Sequence, residues 1–216
     1  MDISISTLIV IITVVTSLVA WQTPTLTAKW IMNPYLVYRN NQYHRLLTSG
    51  FLHADYLHLA FNMIALYSFG NNVEYIFAAL GRLPGVGIIT PGNYQYMFIL
   101  FYFLGVIISS LPSYFKHKNN PAYNALGASG GVSAILLASV LYNPLGTVLI
   151  YFIPMPGVIL AIGYIYYSYV MSKRANDNIG HDAHLWGALY GIVFTIAINP
   201  SVVALFFSEI INGIGL

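Results

Sequence analysis

The sequence predicts an all-α membrane protein, a bundle of six transmembrane helices with a long first loop lying in the interface. Three observations carry that reading: few charges, an excess of apolar residues, and six apolar runs separated by helix breakers. Charged residues make up 6 % of the 216 positions, where a soluble domain carries about 25 %. Apolar residues reach 58 % and the mean hydropathy is +0.72, too apolar a composition to cover a water-facing surface. A formal charge of +2 offers no footprint for nucleic acid or another polyanion. The chain has no cysteine, which removes disulfides, thiolate nucleophiles and cysteine-based metal sites. No metal or organic cofactor is expected, and nothing in the sequence speaks to oligomeric state.

The first run, Ile3 to Ala20, is free of charge and would make about 27 Å of helix. No basic residues precede it, as they would in a secretory signal, so it is assigned as the first span. The remaining spans are expected at 56–70, 95–111, 129–143, 157–172 and 183–198, within one domain covering 1–216. Breakers fall between them, among them Asn33-Pro34, Pro112, Asn143-Pro144, Pro154 with Pro156, and Asn199-Pro200. Several runs are nearer fourteen residues than the roughly twenty of a lipid-facing helix, which points to polar surroundings inside the bundle. The stretch from Trp21 to Gly50 holds Trp30, Tyr35, Tyr38, Tyr43, Lys29, Arg39 and Arg45, residues that favour the headgroup region.

Ionisable and polar groups near the spans are costly to bury and therefore informative. They fall in three clusters. The second span begins with His53, Asp55, His58 and Asn62, the last two sharing a helical face. The fourth begins Gly127-Ala128-Ser129-Gly130, and the sixth begins His181-Asp182-Ala183-His184 followed by Gly187 and Gly191. Taken singly, His58 or Asn62 reads as an interhelical hydrogen bonder, Ser129 as small-residue packing and His184 as a helix-end residue. Taken together, alternating helices put all three starts on one side of the membrane. A hydroxyl, an imidazole and two further polar side chains at one depth are the components of acyl transfer: nucleophile, general base and oxyanion donors. The stripe His184, Gly187, Gly191 would let the sixth helix press on the fourth at Gly130.

These motifs resemble the rhomboid family of intramembrane serine proteases. The resemblance rests on Gly127-x-Ser129-Gly130, on Ala183-His184-x-x-Gly187-x-x-x-Gly191 and on His58-x-x-x-Asn62, each on the appropriate helix, with Arg45 in a long first loop and Gly70-x-x-x-Glu74 after the second helix. It implies a Ser129 and His184 dyad with no acidic third member. It also implies an oxyanion and substrate site from the Ser129 amide, Gly127, His58 and Asn62, with transmembrane proteins as substrates. Asp182 lies about 200° around the helix from His184, which argues against a triad. His53 is expected to be structural, and a metal site built from His53, His58, His181 and His184 lacks a recognisable spacing. The resemblance further implies a lateral gate at the fifth helix and a lid from Ser172 to Gly180.

Two departures stand out. The family often carries an aromatic residue four positions after the nucleophile, packing on the base, and here that position is Ser133. The Trp-Arg pair common in the first loop reads His44-Arg45. Orientation is a conflict. Seven Lys and Arg residues flank the odd-numbered loops and only Arg82 the other side, which would make the site's side cytoplasmic. The resemblance implies the opposite, a site open to the non-cytoplasmic side of a cell membrane, and the expectation follows the resemblance. The alternatives to a protease are a catalytically inactive relative that binds membrane helices and a small solute transporter.

Overall fold

The computed structural model describes residues 3–83, 88–150, 153–174 and 180–213. Helix α1 (Ile5–Gln22) starts at Ser4, whose hydroxyl accepts from the Thr7 amide. It buries the stripe Ser6, Ile9, Thr13, Ser17 and Ala20, spaced by three and four residues, and exposes Leu8, Ile11, Ile12 and Val15 on the other face. The buried stripe is small and polar, the pattern that lets helices approach closely in lipid.

The long first loop is built from short helices: α2 (Pro24–Trp30), α3 (Pro34–Asn40), α4 (Arg45–Thr48) and a 3-10 turn at Ser49–Phe51. Proline opens the first two, where its missing N–H costs nothing. Arg45 pins the segment from inside. It is 5 % exposed, and its guanidinium donates to the carbonyls of Ala28 and Ile31 and to the Gln42 side chain.

Helix α5 (Tyr56–Leu80), capped by Asp55, runs ten residues past the expected end at residue 70. Gly70, Asn71 and Asn72 look like a break in the sequence, yet Gly70 lies against Ser6, Asn71 meets the start of α1, and Asn72 donates to the Ser139 hydroxyl at 2.8 Å. The Glu74 carboxylate accepts from the amides of Ile5 and Ser6 at 3.0 Å each, and Asn71 accepts from the Ser4 hydroxyl at 2.6 Å. A carboxylate at a helix N-terminus answers both the orphan amides and the macrodipole. The Gly70-x-x-x-Glu74 motif therefore lies within the helix, not after it.

Helix α6 (Tyr94–His117) contains Pro112 in its interior and extends past the expected residue 111. Helix α7 (Ser129–Tyr142) is only 14 residues long, and every residue from Gly130 to Val140 is buried. It packs against α5, α6 and α9, so protein rather than lipid surrounds its short apolar length. An antiparallel hairpin follows, β1 (Thr147–Ile150) with β2 (Ile153–Pro156), pairing Thr147 with Pro156. The sequence reading has no strands there. Helices α8 (Gly157–Arg174) and α9 (His181–Ile198) complete the bundle, and α10 (Val202–Gly213) turns 107° from α9 after Asn199-Pro200.

Each of the six expected spans falls on a helix. Among the described residues α1 and α6 are individually long and apolar enough to cross a membrane, and α9 qualifies together with α10. The polar groups within α5 and the tyrosines and two serines of α8 dilute the apolarity of those two helices.

Candidate active site

Ser129 is the first residue of α7, and the chain reaches it through Gly127 and Ala128. Gly127 has φ +122°, a conformation that side chains rarely adopt. A Cβ there would also lie 2.9 Å from His58 Cε1 and 3.0 Å from its Nε2. The His58 imidazole is thus laid against the backbone just before Ser129. Ala128 occupies the N-cap and supplies no side-chain hydrogen bond, so the first amides of α7 lack the capping partner that such donors usually find.

His53 braces this turn from behind. Ser17 donates to the Phe51 carbonyl at 2.9 Å and lies 3.0 Å from His53 Nδ1. Nδ1 therefore carries the ring proton, and Nε2 accepts from the Ala128 amide at 3.5 Å. Burial, followed by the neighbouring His58 charge, pulls the His53 pKa down to about 3, against a smaller upward pull from Asp55. The ring is neutral, as an acceptor at Nε2 requires. On α5, buried Asn62 donates from Nδ2 to the His58 carbonyl at 2.9 Å.

Glycines bring the first turns of α7 and α9 together. A Cβ on Gly187 would fall 2.8 Å from the Gly130 carbonyl carbon and 2.9 Å from its Cα, and one on Gly191 would fall 2.6 Å from Ala134 Cα. A Cβ on Gly130 would meet Ser109 Cβ at 2.5 Å and the Ala183 carbonyl at 3.5 Å. The start of α9, which carries His184, accordingly lies against the residue that follows Ser129. The ring of Tyr164, on α8, stacks on His184 with centroids 5.9 Å apart and planes 24° from parallel.

A cavity of about 640 Å³ opens beside Ser129. Its walls include Ser109 and Ser113 of α6, Gly127, and His181 and Asp182 of α9. Asp182 faces Lys116, with Nζ at 3.7 Å. Four of the six histidines form two edge-on pairs, His53 with His58 at 4.9 Å and His181 with His184 at 5.8 Å. Among the described residues no three potential ligands converge on a metal position. Of the expected lid, residues 175–179 lie outside the described residues.

Sequence reasoning missed Tyr164. It sits in the run Tyr164-Ile165-Tyr166-Tyr167-Ser168-Tyr169, and no spacing rule picks out which of these rings faces α9. The only available signal was the short side chain at Ser133, which leaves room beside the imidazole for a ring from another helix.

The family model for the rhomboid domain matches residues 40–201. The chain is 30 % identical over 167 residues to RHOMBOID-like protein 12, mitochondrial, of Arabidopsis thaliana, covering 74 % of this chain and 49 % of that protein. It is also 30 % identical over 153 residues to the human presenilin-associated rhomboid-like protein, mitochondrial, covering 68 % of this chain and 36 % of that one. The chain thus spans half or less of the length of these relatives. Both carry the word mitochondrial in their names, so they lend no support to placement in a cell membrane. With the motif-bearing helices in place and the match covering most of its length, this chain belongs to the rhomboid family, a helical membrane protein whose surroundings are a lipid bilayer.

Proposed function

We propose that this chain is an intramembrane serine endopeptidase, cutting peptide bonds in or beside the transmembrane helices of substrate proteins. The observation that carries the proposal is the glycine-mediated contact between the first turns of α7 and α9, one bearing Ser129 and the other His184. In this reading α1, α5, α6, α7, α8 and α9 span the bilayer as one domain.

Ser129 Oγ attacks the scissile carbonyl carbon while its proton passes to His184. The negative charge that develops on the carbonyl oxygen is met by the Ser129 amide and by the side chains of His58 and Asn62. His184 returns the proton to the departing amine, and the C–N bond breaks to leave an acyl-enzyme. Water, deprotonated by His184, then attacks the ester and releases the carboxylic acid and free Ser129. Lys116 engages Asp182, in keeping with a dyad and no carboxylate partner. A helical substrate hides its carbonyls in its own hydrogen bonds, so cleavable segments carry helix-breaking residues near the cut. Substrate enters laterally beside α8, and the site opens to the non-cytoplasmic side.

The test is labelling with a fluorophosphonate in detergent, comparing wild type with Ser129→Ala and His184→Ala. Label on wild type alone, with parallel loss of cleavage of a reconstituted transmembrane substrate in both variants, is expected. An unlabelled wild type, or label that persists in Ser129→Ala, sinks the proposal.

A further inference from the structure

We infer that Tyr164 is the positioning residue for the His184 imidazole, and that Ser133 holds its ring in place. The inference rests on the reading of Ser129 and His184 as the dyad. A general base works only when its acceptor nitrogen points at the nucleophile's proton, and an imidazole turns easily about its last torsion unless something flat packs on it.

Helix α8 supplies such a surface in a fixed place. Tyr164 stacks on His184 in an offset arrangement, 5.9 Å between centroids and 24° between planes, within the range in which aromatic rings attract. The pitch of the Tyr164 ring is set at its far end. Its hydroxyl lies 2.5 Å from Ser133 Oγ, and Ser133 Oγ donates to the Ser129 carbonyl at 2.6 Å. Each hydroxyl has one proton. Ser133 commits its own to the Ser129 carbonyl, so Tyr164 donates to Ser133. The chain of contacts runs from the nucleophile's own residue through Ser133 to the ring that carries the base, and it joins α7, α8 and α9.

Ser133 is 1 % exposed, so its hydroxyl has no water to turn to if Tyr164 is lost. The position four residues after Ser129 thus contributes to orienting His184 through a hydrogen bond, with the flat surface borrowed from α8. Because α8 carries the ring, the base keeps its orientation only while α8 stays seated against α7 and α9.

The experiment measures kcat and KM on a reconstituted transmembrane substrate, together with the rate of fluorophosphonate labelling of Ser129. Tyr164→Leu is expected to lower kcat and the labelling rate by roughly tenfold or more with KM within about twofold, the pattern of lost orientation. Tyr164→Phe and Ser133→Ala should each cost about fivefold, and the double variant no more than Ser133→Ala alone, because Ser133→Ala already removes the Tyr164 hydrogen bond along with the one to the Ser129 carbonyl. Ser133→Tyr placed in the Tyr164→Leu background should recover most of the lost rate. Labelling of Tyr164→Leu at the wild-type rate overturns the inference, as do multiplying losses in the double variant. If Tyr164→Leu does not fold, the Tyr164→Phe and Ser133→Ala cycle decides. Wild type that fails to label removes the dyad and this inference with it, whereas labelled wild type with indifferent Tyr164 variants removes the inference alone.

Discussion

Substituting Gly187 by alanine measures how much of the site depends on the contact between α7 and α9. The new Cβ would stand 2.8 Å from the Gly130 carbonyl carbon, and ordinary contact begins at 3.4 Å. That atom must therefore retreat by about 0.6 Å, and the carbonyl oxygen, which is closer still, by more. Backbone atoms of a helix cannot swing aside as a flexible side chain can, so the two helices must separate by about 1 Å or tilt. Overpacking of this kind costs about 1–3 kcal/mol, enough to lower the midpoint of thermal unfolding by several degrees without abolishing the fold. The kinetic effect is larger. A displacement of about 1 Å between reacting groups costs on the order of a hundredfold in rate, and Gly130, which takes the impact, is bonded to Ser129. Gly163→Ala is the control, because nothing lies within 4 Å of the Cβ it would add. The assay is the rate of fluorophosphonate labelling in detergent, with thermal unfolding of the same samples. Gly187→Ala labelling at the rate of Gly163→Ala would refute the claim that this crossing sets the distance between nucleophile and base.

Three further outcomes are expected. Removing the carboxylate that caps α1, in Glu74→Ala, should destabilise the protein by about 2 kcal/mol, read as a lower unfolding midpoint, because two amides lose a charged acceptor. The folded-state pKa of His53 lies near 3, below the roughly 6.5 of an unfolded chain, so the unfolded state binds the proton first. Stability should be fully present above pH 6.5 and fall as pH drops toward 3, by up to about 1.4 kcal/mol per pH unit; the decline in wild type, set against a flatter curve for His53→Gln, checks this. A single cysteine at Lys118, in a chain that otherwise has none, should react with an impermeant thiol reagent on intact cells. Labelling only after lysis would put the site on the cytoplasmic side, where the loop charges alone place it.

What could be read from the sequence, and what could not, follows from the range of the interactions. Apolar runs are local, and each of the six marks a helix. Polar residues in a long helix mislead when their partners are distant. Gly70, Asn71 and Asn72 look like an ending because their partners are some sixty-five residues away, the start of α1 for Gly70 and Asn71 and Ser139 of α7 for Asn72. Gly187 and Gly191 announce a close approach, and Gly130 and Ala134 are what they approach. Tyr164 was out of reach, since its role depends on the rotation of α8 about its own axis and on a short side chain at residue 133. Arg45 was visible as a charge in the interface, but its burial and its three acceptors were not.

The starts of the helices show where stability has been given up. Helices α1, α3 and α5 are capped by the side chains of Ser4, Asn33 and Asp55, each accepting a backbone amide. Helices α7 and α9 begin at Ala128 and Gly180, which offer no side-chain acceptor at all, whereas α2 and α6, also without a cap bond, begin at Thr23 and Asn93, which carry one. Each missing cap forgoes about 1 kcal/mol, yet a serine or aspartate at residue 128 would compete for the amides that the proposed reaction assigns to its oxyanion. In α7 the compensation comes from the burial of every residue from Gly130 to Val140, which holds its first turn in place without using its donors. Rigid, uncommitted amides beside a hydroxyl stabilise a transition-state charge better than capped ones, because no hydrogen bond has to be broken before they act.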